Sequence, residues 1–312
     1  MRRRALTLVL LVAVPSACVS ALRRGTRRGP TPTAGAVGKV KVEDHLTELL
    51  IEANRPTSDP VATARSVWTE HERRLGYLVR STFLPGLEDL DRAARTDAVL
   101  AEWAPEWSKM IPRMERLQST FERVVAQSAR SFGRTFGEVP DAEVHLVFVP
   151  DPRSHVAARV YGDPMVIVNA ARIGESNEVL GRVAVARGLF ELLRLSKGGA
   201  PGPSTAEGLC WDARSVRAAA EVYPSMERDH HAGVAIPPGV VPLESGLPKA
   251  LLAIKRRFDE PDPLRTAGGE ARPLLLLVLG EAAFRADLEV EHLVDLAADD
   301  CVATLRTMVG AP

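Results

Sequence analysis

The sequence predicts an α+β fold that is mostly helical: an N-terminal helical region, a small antiparallel sheet, then a second set of helices. Three observations carry this. Apolar residues recur at three- and four-residue steps through the first half, β-rich runs gather between Glu143 and Ala170, and helical periodicity returns at Val179.

The first seventeen residues read as an export signal of the lipoprotein type. Arg2, Arg3 and Arg4 form a charged n-region, Ala5 to Val14 an apolar stretch, and Pro15-Ser16-Ala17-Cys18 a small-residue cleavage site. The apolar stretch is about half the length that a bilayer core demands of a spanning helix. Cleavage before Cys18 leaves that cysteine as a lipidated first residue, although Pro15 stands where Leu is usual. The protein is then anchored through its N-terminal lipid on the periplasmic face of a bacterial membrane. Cleavage after Ala21, at Val19-Ser20-Ala21, instead leaves a soluble periplasmic or secreted protein. Residues 18–41 are rich in Arg, Gly, Pro and Thr without apolar periodicity, the composition of a flexible tether. Its Arg23, Arg24, Arg27 and Arg28 either rest against anionic lipid or are simply solvated.

From there the elements follow in order. A short helix is expected from Val42 to Asn54. Val61, Ala64, Trp68, His71, Leu75 and Leu78 mark an amphipathic helix stopped by Pro85, with His71 on the apolar stripe as a packed core residue. A helix from Glu88 to Trp103 ends at a break bracketed by Pro105 and Pro112. Met114, Leu117, Phe121, Val124, Ser128 and Phe132 mark a long helix that closes near Gly133. Strands are expected at Glu143–Val149, Val156–Tyr161 and Pro164–Ala170, with Gly162-Asp163 as a turn. Helices follow at Val179–Leu195 and from Ser204, then an irregular stretch over 224–248, and helices at Leu251–Phe258, Arg272–Asp287 and Val290–Val309. Residues 42–138 and 139–312 are expected to pack as one unit.

Charge and cysteine content narrow the function. The chain has 40 basic and 40 acidic residues, but residues 1–30 hold seven Arg and no acid, so the rest carries −7. A body of that charge has no electrostatic pull toward nucleic acid. With Cys18 lipidated, Cys210 and Cys301 remain as a possible pair, although buried free thiols are the commoner outcome for helical cysteines. Phosphate loops, dinucleotide fingerprints, CxxC pairs and G-x-S-x-G elbows do not occur.

The Val179–Leu195 helix is apolar nearly all round, so Arg187 and Glu191 are drawn toward the interior, where a charge needs a partner. Its Ala186-Arg187-Gly188-Leu189-Phe190-Glu191, followed by Ala206-Glu207-Gly208-Leu209, resembles the predicted zinc-dependent proteases, zincin-like families with an AHExxH helix and an AEGL helix. In HExxH peptidases two histidines one turn apart bind zinc, the glutamate between them is the general base, and a third ligand follows. The resemblance puts Arg187 and Glu191 at the histidine positions, Gly188 at the base and Glu207 at the third ligand. Both histidines and the base are gone.

The resemblance therefore implies a catalytically inactive, metallopeptidase-like domain with neither metal nor cofactor. Such a protein acts by binding an unknown protein or peptide, or by envelope scaffolding. Two arrangements of the degenerate site are open. Either the Arg187 guanidinium occupies the place of the metal between Glu191 and Glu207, or Arg187 and Glu191 sit at a solvated edge while Glu207 closes a capping box with Ser204. The alternatives in function are a zinc hydrolase with ligands rearranged to Glu191, Glu207 and His230 or His231, and an unrelated helical envelope protein.

Overall fold

The computed structural model describes residues 40–54, 59–83, 89–151, 153–173, 177–233, 246–262, 267–284, 292–295 and 299–310. The export signal, Cys18 and the tether as far as residue 39 lie outside them. The described residues fall within one compact unit. The order is β1 (Val40–Asp44), α1 (Thr47–Ala53), α2 (Pro60–Thr82), α3 (Asp89–Trp103), α4 (Trp107–Phe136), β2 (Ala142–Val147), β3 (His155–Val160), β4 (Asp163–Asn169), α5 (Asn177–Ser196), α6 (Thr205–Val222), α7 (Arg228–His231), α8 (Leu247–Arg256), α9 (Arg272–Ala283), α10 (His292–Asp295) and α11 (Asp299–Val309). The fold is α+β and mostly helical, as the periodicities predict.

The sheet corrects the expectation of a purely antiparallel one. It is mixed, in the order β1-β2-β4-β3, with β1 parallel to β2, β2 parallel to β4, and only the β3–β4 hairpin antiparallel. The extra strand, β1, takes the last two residues assigned to the tether and the first three assigned to a helix, so α1 starts only at Thr47. Asp44 marks the change: its Oδ1 accepts the Leu46 N–H at 2.8 Å and its Oδ2 the Thr47 hydroxyl at 3.0 Å. The hairpin turn also sits one residue early, at Tyr161-Gly162, with φ of 53° and 97°. Two left-handed residues suit a tight two-residue hairpin.

Pro105 breaks the chain as expected, in a 3-10 turn at Ala104–Glu106, whereas Pro112 lies inside α4. In the second turn it removes one backbone bond, and burial of Trp107, Met110, Ile111, Met114 and Leu117 around it offsets the loss. α7 interrupts the stretch expected to be irregular, α9 stops four residues before Asp287, and the last helix is two segments among the described residues, α10 and α11. None of the described helices is long and apolar enough to cross a membrane.

One buried apolar cluster runs from Leu46 to Val309. At its centre α5 lies between α4 and the sheet. Gly181 admits α4, since a Cβ there would meet Leu117 and Val124 at 3.2 and 3.3 Å. Gly188 admits β4: a Cβ there would overlap the Val166 side chain, standing 3.0 Å from Cγ2 and closer to Cγ1. On the far side Cys210 of α6 and Cys301 of α11 form a disulfide with Cα atoms 5.7 Å apart.

His71 is the core residue that its place on the stripe predicts. It is 5 % exposed, and its Nε2 accepts the Phe148 N–H at 3.3 Å. Burial pushes its pKa from 6.5 down to about 4. His45, His145, His155 and His231 are likewise lowered, chiefly by burial. These imidazoles are neutral when folded and near 6.5 when unfolded, so the unfolded chain takes up more protons as pH falls. Stability is then fully present above pH 6.5 and is lost on the way down through the folded values. For His71 alone this is about 3 kcal/mol. The urea midpoint is expected to fall steeply between pH 7 and 5, and a midpoint flat over that range would refute the buried-neutral assignment.

Candidate functional site

Arg187 and Glu191 of α5 line a cleft of about 250 Å³ between α5, α6, the start of β3 and the start of α9, and Gly188 and Glu207 do not. Arg187 is 5 % and Glu191 3 % exposed, so neither lies at a solvated edge. Arg187 Nε donates to Ser215 Oγ at 3.0 Å and Nη1 to the Ala232 carbonyl at 3.3 Å, anchoring the guanidinium between α6 and the end of α7. Glu191 Oε1 lies 3.2 Å from His155 Nε2. Glu207 does not join them. Ser204 Oγ accepts the Glu207 N–H at 3.3 Å and Glu207 Oε2 accepts the Ser204 N–H at 3.1 Å, a reciprocal capping box at the start of α6. The two expected arrangements are thus each half realised: the α5 charges are buried, and Glu207 serves the helix end.

The cleft is completed by residues that the sequence did not single out. Arg153 and Ser154 come from the β2–β3 connection, His155 from the start of β3, Arg172 from the turn after β4, Asp212 from α6 and Arg272 from α9. Asn169 shapes that connection and is fully buried. Its Nδ2 donates to the carbonyls of Val149, Asp151 and Arg153 at 2.8, 3.0 and 3.2 Å, and its Oδ1 accepts the Val149 N–H at 3.1 Å. Its own N–H donates to the Ser154 carbonyl at 2.9 Å. Ser154 and His155 are thereby held on a rigid backbone, as a preorganised site requires.

Arginine dominates the charge. Four guanidinium groups (Arg153, Arg172, Arg187, Arg272) line the cleft against two carboxylates, Glu191 and Asp212. Arg272 pairs with Asp212. Behind the lining, Arg153 binds Asp151 through Nε at 2.9 Å and donates to the Phe83 carbonyl, and Arg95 balances Asp151 at 3.5 Å. Guanidinium outnumbers carboxylate in the lining itself, while Asp151 behind it offsets part of the charge of Arg153 and, with Glu102, acts on Arg172. Burial keeps the His155 pKa low, while Glu191 pulls it up and Arg187 pushes it further down.

These residues do not suit the zinc ion that an HExxH peptidase holds. Glu191 and His155 are turned toward each other, a guanidinium stands at the first histidine position, and Val166 fills the space that a base at Gly188 would need. His231 Nε2 is engaged with the Tyr223 carbonyl at 3.0 Å, and His230 faces Glu227 at 4.0 Å. Among the described residues, His, Cys, Asp and Glu side chains form no group of three able to hold a metal. The set Glu191, Glu207 and His230 or His231 is accordingly not assembled.

A larger groove, about 840 Å³, lies between α1 and α2 and is lined by Asp44, His45, Glu48, Glu70, His71 and Arg74 among others. Its one arginine pairs with Glu48 and with Glu70, and His71 is spent on the Phe148 backbone. The smaller cleft has the convergent chemistry.

Comparison of the chain with family models, with curated proteins and with solved structures finds no match. The resemblance to zinc-dependent proteases accordingly rests on the sequence alone, on the residues of α5 and α6 and the strands that precede them.

Proposed function

We propose that this chain is an exported, lipid-anchored binding protein whose domain keeps a metallopeptidase-like frame without metallopeptidase chemistry, and whose cleft receives a small oxyanion, a carboxylate or a phosphate. The observation that carries the reading is the surplus of guanidinium over carboxylate where such a peptidase would hold its cation. Arginine offers planar, forked donors that match oxyanions two at a time. A volume of about 250 Å³ suits a small group, such as the end of a peptide or an acidic headgroup, better than an extended ligand. Export is supported by the sequence of residues 1–21 and by the Cys210–Cys301 disulfide, a bond typical of oxidising compartments.

Titration calorimetry with inorganic phosphate and with acetate tests this. Saturable binding is expected for at least one, with a rise in melting temperature. Arg172→Gln removes a charge at the exposed mouth of the cleft, and affinity is expected to fall about tenfold or more. Neither anion binding at millimolar concentration would end the proposal.

A further inference from the structure

Three side chains in the cleft are joined in a line. Ser154 Oγ lies 3.2 Å from His155 Nδ1, and His155 Nε2 lies 3.2 Å from Glu191 Oε1. The proton positions follow from what each group can do. As a carboxylate, Glu191 only accepts, so Nε2 carries the single proton of a neutral imidazole. Nδ1 is left with its lone pair, and the Ser154 hydroxyl must donate to it. That is the polarity of a nucleophile, its base and the group that orients the base. The ring is wired opposite to the usual serine triad, but the chemistry needs only one accepting and one donating nitrogen.

A serine beside a histidine in sequence often makes an incidental contact. Here the far nitrogen is held by a carboxylate 3 % exposed, and the serine is only partly buried and lines the cleft. A cation is also at hand. A Cβ on Gly233 would lie 3.3 Å from Ser154 Oγ and 3.7 Å from Arg187 Nη1, so hydroxyl and guanidinium border the same open space beside that glycine. A developing oxyanion at Ser154 would face a fixed positive charge.

We infer that Ser154 is the nucleophile of a metal-free acyl-transfer site, with His155 as its base, Glu191 as the positioning residue and Arg187 facing the oxyanion, acting on a small ester that carries an anionic group. Ser154 Oγ attacks the ester carbon while its proton passes to His155 Nδ1 and the carbonyl electron pair moves onto oxygen. Collapse of that oxyanion breaks the bond to the alcohol, which leaves with the proton from Nδ1. Water then repeats the two steps on the acyl-serine, releasing the acid and restoring the hydroxyl. Ester and water go in, acid and alcohol come out, and neither oxidant nor cofactor enters. The anionic preference of the substrate rests on the binding proposal, whereas the relay stands apart from it.

The test is covalent labelling of the full chain by diisopropyl fluorophosphate, mapped by peptide mass spectrometry. One adduct is expected, at Ser154, forming faster as pH rises through the deprotonation of His155. Ser154→Ala should give none while melting as the parent does. His155→Gln should label about 100-fold more slowly. Glu191→Gln should both slow labelling and move its pH midpoint downward, because the carboxylate raises the imidazole pKa; a structural role alone would leave the midpoint in place. The inference is overturned by an unlabelled parent protein, by a pH-independent rate, or by equal labelling of Ser154→Ala. Anion binding separates the two proposals. Labelling at Ser154 with neither phosphate nor acetate bound sinks the anion reading alone, and binding of either anion without labelling sinks the relay alone.

Discussion

Replacing Cys301 by Ser is expected to lower the unfolding free energy by about 4–5 kcal/mol, one of the two largest effects foreseen for this protein. The bond joins α6 to α11 across a separation of 91 residues, and closing so long a loop removes much of the freedom of the unfolded chain. Both sulfur-bearing residues are buried, at 1 % and 0 % exposure, so the serine hydroxyl adds a polar group to an apolar site. Urea unfolding of the parent with and without reductant provides the check, and agreement between reduced parent and Cys301→Ser separates the loop effect from the hydroxyl. Alkylation of the unfolded chain, isolated from an oxidising compartment, should leave Cys210 and Cys301 unmodified. Quantitative modification there would contradict both the bond and the proposed export.

The second large effect is expected at Arg187. Arg187→Leu keeps the apolar stem but takes the donors from Ser215 Oγ and the Ala232 carbonyl and removes the buried cation one helical turn before Glu191 on α5. Removing one partner from a buried charged cluster costs about 3–5 kcal/mol. Restoring balance should recover much of it. The double variant Arg187→Leu, Glu191→Leu is expected to be markedly more stable than the sum of the single changes implies, since paired removal of buried charges is often nearly neutral. Additive losses in the cycle would show that Arg187 and Glu191 do not act on each other.

Local patterns carried much of this fold. The stripes of α2 and α4 and the apolar circumference of α5 are short-range signals, and each appears where its period predicts. The capping box at Ser204 is a four-residue signal and was equally legible. β1 was not, because Val-Lys-Val-Glu-Asp becomes a strand only by pairing with residues about a hundred positions away. The cleft was legible only through α5. Its remaining members come from the stretch 153–155, the turn after β4, α6 and α9, and no spacing in the sequence relates Ser154 to Glu191 or Asp212 to Arg272. The adjacent Ser154-His155 pair was the one local hint. It gains meaning only when α5 brings a carboxylate to the far side of the ring.

The parallel partnership of β1 with β2 also sets a timetable. Val40 pairs with Ala142 and Asp44 with Leu146, so a chain delivered N-terminus first presents this strand long before its partner exists. β2 has the same wait in miniature, because β3 separates it in the chain from its partner β4. Non-local parallel pairing is slow for the entropic reason that a long loop must be gathered before any contact rewards it. Lys41 is exposed and Glu43 only partly covered, and charges on such an edge discourage pairing with the wrong chain in the interval. Deleting residues 1–44 should therefore leave a refolding phase for the β2–β4–β3 ladder while removing a slower one, and identical kinetics in the two proteins would show that β1 docks early.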